Sequence, residues 1–172
     1  MELEDHNMGL LGIVKNEFNK KSLFNEGNKH LEKGELDKAQ KCYDKILKLD
    51  SSSVNAWYNK GLIFFKIKKY MESIEFFDNA LDLEPGNIKA LIYKGLALGS
   101  INKYEKSYTC FDKALKLNPK NAETWYGKGI VLGKNGKYPE AIEHFDKALE
   151  LNPDFKSAKD SKKLIKSINL RS

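Results

Sequence analysis

Arginine is almost absent from this chain: of 172 residues only Arg171 carries a guanidinium, although lysine and arginine together number 30. Proteins that grip nucleic acid lean on arginine, whose planar fork pairs bidentately with phosphate or guanine. The charge that lysine supplies is also poorly placed for such a role. The formal net charge is +6, but six basic residues against one acidic residue follow Phe155, and 24 stand against 23 before it. A near-neutral body with a basic tail offers no phosphate-binding face, so nucleic acid is not expected as a partner.

Proline is scarce as well, at four residues, which favours helix because proline is excluded from helix interiors. Cys42 and Cys110 are the only cysteines, and no CxxC pair exists, which argues against a zinc site. They read as buried apolar thiols in a reducing compartment. No apolar run approaches the 18 or so residues of a membrane span. The short stretch from Met8 to Val14 follows Glu2, Glu4 and Asp5, whereas a secretory leader starts with positive charge. A cytoplasmic protein without a membrane role is the expectation.

What the chain does have is internal repetition. At an offset of 34 residues it matches itself from Lys20 to Phe155. Gly27, Gly61, Gly95 and Gly129 fall in register, as do the small residues Ala39, Ser73, Ser107 and Ala141. An aromatic follows each small residue by four positions: Tyr43, Phe77, Phe111 and Phe145. Leu49, Leu83, Leu117 and Leu151 close the pattern, and Pro85, Pro119 and Pro153 end the last three units, with Ser51 in the first. The two cysteines lie two repeats apart at one register, too far for the roughly 7 Å Cα separation that a disulfide allows.

Each unit reads as helix, turn, helix. In the last one, a first helix over roughly 122–135 breaks at Gly136-Lys137, and Pro139 is well placed at the start of the second. Ala141, Ile142, Phe145, Ala148 and Leu149 then recur at the spacing of a buried helical stripe, until Asn152-Pro153 ends it. Ser53, Asn87 and Asn121 stand at N-cap positions. A glycine in mid-helix costs about 1 kcal/mol relative to alanine, so four in register predict close helix approach. The small Ala/Ser series is expected to face that glycine, and the aromatics to fill the joint with the next unit. One unit cannot bury its apolar face alone, whereas three or more can. The expected organisation is a partly helical N-terminal segment over 1–19, four repeats over 20–53, 54–87, 88–121 and 122–155, and a basic capping helix and tail over 156–172. Ala158, Leu164, Ile165 and Ile168 are expected to lie on the last unit while the tail lysines face water.

The series Trp125, Gly129, Tyr138, Ala141, Phe145, Ala148 and Pro153 resembles the tetratricopeptide repeat signature, and Trp57, Gly61, Tyr70, Phe77, Ala80 and Pro85 repeat it. The first unit departs most, with Leu23 for the tryptophan, His30 at a usually aromatic position and Ser51 for the proline. The resemblance covers residues 20–155. It implies an all-α, right-handed superhelical solenoid whose concave groove binds another protein, so an adaptor or scaffold is expected. Matched residue by residue, the groove would be lined by Phe24 and Asn28, then Tyr58, Asn59, Leu62 and Phe65, then Lys89, Ile92 and Leu96, and finally Tyr126 and Ile130. One subclass clamps acidic C-terminal peptides of chaperones with two Lys, two Asn and a further Lys or Arg. Asn28, Asn59 and Lys89 match that clamp, but Phe24 and Tyr93 stand where cations belong. The apolar members instead predict a lane for an amphipathic helix or apolar strand. Packing between adjacent first helices is the other reading of the same residues.

Nothing in the sequence assembles an active site. His6, His30 and His144 stand in unrelated contexts, and acids such as Glu143 pair with lysines such as Lys147 at helical spacing. Every patterned glycine belongs to the repeat, so no phosphate loop exists. No enzymatic activity, cofactor or metal is expected. Leu10, Leu11, Val14 and Phe18 fall on one helical stripe behind acidic residues. That segment could cap the first unit, occupy its own groove, or enter a neighbour's and form a homodimer, leaving a structural or self-associating module as the alternative to an adaptor.

Overall fold

Each of the four turns inside a repeat contains one residue in the left-handed region, at the same register every time: Gly34, Lys68, Asn102 and Gly136, with φ of 75°, 63°, 61° and 75°. These turns reverse the chain between helices in a computed structural model that describes the backbone of residues 2–169 and the side chains of residues 16–168. Among the described residues the order is α1 (Glu2–Glu32), α2 (Leu36–Leu49), α3 (Val54–Lys66), α4 (Tyr70–Leu83), α5 (Ile88–Ser100), α6 (Tyr104–Leu117), α7 (Ala122–Lys134), α8 (Tyr138–Leu151) and α9 (Lys156–Asn169), with no strand. The chain is an all-α solenoid of helix-turn-helix repeats. Each helix packs on the next, and α3 also lies against α5, α5 against α7 and α7 against α9. No helix among these residues is long and apolar enough to cross a membrane.

The in-register glycines are explained by rings. A Cβ on Gly27, Gly61, Gly95 or Gly129 would stand 2.9, 2.5, 2.9 or 2.7 Å from the aromatic of the same unit, respectively Tyr43, Phe77, Phe111 or Phe145. The small series faces the glycine, as expected: Ser73 Oγ donates to the Gly61 carbonyl at 3.1 Å and Ser107 Oγ to the Gly95 carbonyl at 2.6 Å. The aromatics, expected to fill the joint with the next unit, pack first on the glycine of their own. The ring fills the space because only it is long enough to span from the second helix to the first. Phe111 does reach the next unit, against Gly127.

The caps hold in two of the three expected places. Asn87 Oδ1 accepts from the Ala90 amide at 3.0 Å and Asn121 Oδ1 from the Thr124 amide at 2.8 Å. Ser53 makes no side-chain cap bond; its carbonyl takes the Ala56 and Trp57 amides instead. A further series was invisible at the level of single helices. Lys60, Lys94, Lys128 and Lys162 each reach back 16 residues to Asp44, Asp78, Asp112 and Asp146. Each pair ties the second helix of one unit to the first helix of the next.

The last of these pairs places α9. Ala158 is fully buried at the register of Ala56, Ala90 and Thr124, and Ile165 packs against Gly133. The helix thus stands where the first helix of a fifth unit would. Leu164, expected on the last unit, is instead 60% exposed. At the other end, α1 runs unbroken from Glu2 to Glu32, into the first repeat. The side chains of Leu10, Leu11 and Val14 lie outside the described residues; Phe18 is 73% exposed.

Candidate protein-interaction groove

The first helices of the units lie side by side, and their inner faces carry the residues singled out from the sequence. At the N-terminal end Phe24 is half-buried, edge-on to Tyr43 with centroids 6.0 Å apart. Tyr43 donates to Asn28 Oδ1 at 2.8 Å, and Asn59 Nδ2 donates to the same oxygen at 3.2 Å. Asn59 is buried. Burial pushes the Tyr43 hydroxyl up to about 12, so it stays a donor. Beside them, Lys20, Lys21, Asn25, Asp50 and Asn55, with Phe24 and Ile46, line a recess between α1 and α3 of about 270 Å³.

In the middle, three rings meet across α3 and α5. Tyr93 lies 6.1 Å from Tyr58 and 5.6 Å from Phe65, both edge-on, and Leu62 packs on the same cluster. Burial raises the pKa of Tyr58 and Tyr93, with the Glu123 carboxylate adding to both. At the C-terminal end Ile92 is buried, and Leu96, Tyr126 and Ile130 pack partly buried on the same core. Tyr126 meets Phe155 at 4.8 Å. Between them opens a recess of about 210 Å³ lined by Ile92, Tyr93, Leu96, Glu123, Tyr126 and Phe155.

The expected residues therefore fall into three groups: the Asn28–Asn59 pair beside Phe24; Tyr58, Leu62 and Phe65; and Ile92, Leu96, Tyr126 and Ile130. Lys89 is exposed and joins none of them. Tyr93 is central to the middle group, although clamp matching marked it only as a misfit. Phe155 was missed. Its signal was present, since it occupies the register of Ser53, Asn87 and Asn121 and so replaces a cap residue with a ring.

The side chain of His6 lies outside the described residues, and His30 and His144 stand on different helices. His30 is tied to Glu35 and, at 3.6 Å, to Glu26. His144 packs against Trp125, the rings tilted by 50° with centroids 5.3 Å apart, and burial lowers its pKa. Among the described residues no group of three His, Cys, Asp or Glu is placed to hold a metal ion. Both cysteines are free and buried, and burial raises both thiols.

A solenoid of paired helices with an inner face of rings and amides defines a helical-repeat interaction module. A tetratricopeptide repeat model matches residues 54–87 and 122–155, and a second TPR repeat model matches residues 27–68 and 95–136. The chain belongs to the tetratricopeptide repeat family. Among solved structures it is similar to the crystal structure of the MamA protein, at 26% identity and a TM-score of 0.71, over 86% of this chain and 80% of that one. It is also similar in fold to Pseudomonas aeruginosa PilF, at 22% identity and a TM-score of 0.79, over 91% and 72%. A third is the first TPR of Spaghetti (RPAP3), bound to the HSP90 peptide SRMEEVD, at 25% identity and a TM-score of 0.62, over 72% and 97%. No curated protein matches the chain in sequence.

Proposed function

We propose that this chain is an adaptor or scaffold that holds an apolar helix or strand of a partner protein along its inner face. The observation that carries this reading is the recess between α5 and α7, whose walls are Ile92, Leu96, Tyr126 and Phe155. Apolar side chains placed there lose water contact, at about 1.5–3 kcal/mol for a fully buried Leu or Phe. Phe24, Tyr58, Leu62, Phe65 and Ile130 extend the lane on either side, with Asn28, Asn59 and Lys89 as its polar members. The similar TPR module holding an HSP90 peptide supports a bound segment, but the chemistry here favours a different one. Two cations of an acidic-peptide clamp are replaced by Phe24 and Tyr93, and Asn28 and Asn59 already bond to each other. A terminal carboxylate would lose charge-assisted bonds worth about 1.5–3 kcal/mol each. We assign the chain no catalytic step, cofactor or metal, and its partner in this reading is neither nucleic acid nor membrane. A cytoplasmic setting suits its two free thiols.

Filling of the groove by residues 1–18 of the same copy is disfavoured because α1 would have to break to turn back. The test is capture of partners from the source cell by wild type and by a Leu62→Glu, Leu96→Glu double variant whose helical circular dichroism is intact. A partner held by the first and lost by the second supports the groove. Equal retention by both moves the contact to another face.

A further inference from the structure

The outer face offers a second surface. Phe76 of α4 packs 4.8 Å from Phe64 of α3 with the Lys60 ammonium over its ring. Tyr108 of α6 accepts from Asn135 Nδ2 at 3.0 Å and lies under the Lys137 ammonium. At the registers of Tyr108 and Phe76, α4 and α6 hold the shorter Ile74 and Cys110 respectively. Beside these two side chains lies a recess of about 320 Å³, with Met71, Ile74, Leu98 and Cys110 as its apolar wall. Met71 is 51% exposed beside it.

Charge varies along the same face. The positions near the start of α4 hold Glu72 and Glu75, and those of α8 hold Glu140 and Glu143; the matching positions of α6 hold Lys106 and Thr109, and those of α2 hold Lys38 and Lys41. The recess rim therefore carries Lys94, Lys103, Lys106 and Lys113 against Asp78 alone. Asp78 is engaged by Lys94, and the other three lysines pair with no carboxylate among the described residues. An apolar recess with an unneutralised basic rim calls for an acidic segment carrying aliphatic anchors. The chain contains one: Glu2, Glu4 and Asp5 precede Leu10, Leu11 and Val14. In its own copy that segment is continuous with α1, so it cannot reach the α4–α6 joint without breaking the helix.

We infer that the recess between α4 and α6 receives the acidic N-terminal segment of a second copy, in a reciprocal homodimer whose two contacts are equivalent. This surface is separate from the inner groove, so either can fail without the other. The test is the molar mass of the full chain by sedimentation equilibrium at low salt. Wild type is expected as a dimer. Reversing the rim with Lys103→Glu and Lys106→Glu, or the segment with Glu2→Lys, Glu4→Lys and Asp5→Lys, is expected to weaken the dimer about tenfold or more. Both rim sites are exposed at the start of α6, where acidic side chains suit the helix dipole, so folding is retained. Combining the two reversals in one chain is expected to restore association. A wild-type monomer at all concentrations overturns the inference, as does a dimer indifferent to either reversal or a combined variant that stays apart.

Discussion

On the inner face between α1 and α3, Asn28, Asn59 and Tyr43 share one hydrogen-bonded cluster; between α5 and α7 the inner face holds Ile92, Leu96 and Tyr126, with Phe155 against Tyr126. Both joints follow the same 34-residue plan and bury the same ring against the same glycine. They differ in what a neighbour can do there. The polar joint pairs its own donors with its acceptor, and the recess beside it is lined by Lys20, Lys21 and Asp50 as well as Phe24 and Ile46. The recess at the aromatic joint has mostly apolar walls, and only the carboxylate of Glu123 offers charge. Backbone register alone thus does not make a binding surface; a few side chains decide what each recess can receive.

The largest expected effect comes from the ring that links the halves. Phe111 lies against Gly95 of its own unit and Gly127 of the next. Phe111→Ala should cost about 3–5 kcal/mol, as full truncation of a buried Phe does. In a repeat array, where stability is close to a sum of unit and interface contributions, the loss should uncouple the ends. Denaturant unfolding followed at Trp57 and Trp125 separately should then show two transitions in place of one.

A smaller effect is expected at the polar joint. Asn59→Ala takes one of its two donors from the Asn28 carbonyl oxygen and should cost about 1–3 kcal/mol. The double change Asn28→Leu, Asn59→Leu should cost less than the sum of its single changes, because it removes the Asn59 amide that Asn28→Leu alone would orphan. It should still cost more than Asn59→Ala, because the buried Tyr43 hydroxyl loses its acceptor. Chemical denaturation of the three variants measures this directly.

The same joint should respond to base. Tyr43 has a folded pKa raised to about 12 from an ordinary value near 10, chiefly by burial. Its neutral form is the one the fold prefers, so its contribution is complete below pH 10 and disappears as pH rises towards 12. Tyr58 and Tyr93 are raised in the same direction and add to the loss. Stability should therefore fall over that window in wild type, and fall less steeply in Tyr43→Phe, which keeps the ring and removes the titrating group.

How much of this was legible depends on sequence distance. The glycine, aromatic and small-residue series recur at a fixed interval, so helices and turns could be read from one unit and carried to the rest. The Lys60–Asp44 type of pair could not, because its members sit on different helices and neither stands out among many charges. Within the groove, a helical stripe is wide enough that Ile92 and Leu62 look alike on paper. Only packing shows Ile92 buried in the core and Leu62 at the edge of a ring cluster. Phe155 was hidden for a simpler reason: the cap register was expected to hold a polar residue, and its exception was not followed.

The turns supply the smallest test and compare the ends with the middle of the array. Gly34 and Gly136 occupy left-handed positions without cost, while Lys68 and Asn102 hold the same conformation in the two central units. A left-handed residue with a Cβ costs about 1–2 kcal/mol, with asparagine better tolerated than lysine. Lys68 is exposed, so its side chain contributes little packing that a glycine would forfeit. Lys68→Gly removes the strain but also loosens the unfolded chain, an opposing effect of about 0.4–1 kcal/mol. The net result should be a gain of about 0.5–1 kcal/mol, seen as a rise of roughly 1–4 °C in Tm for a chain of this size. Asn102→Gly should gain less. If Lys68→Gly instead lowers Tm, the turn is held by contacts of the lysine stem, and the central turns are not weaker copies of the outer ones.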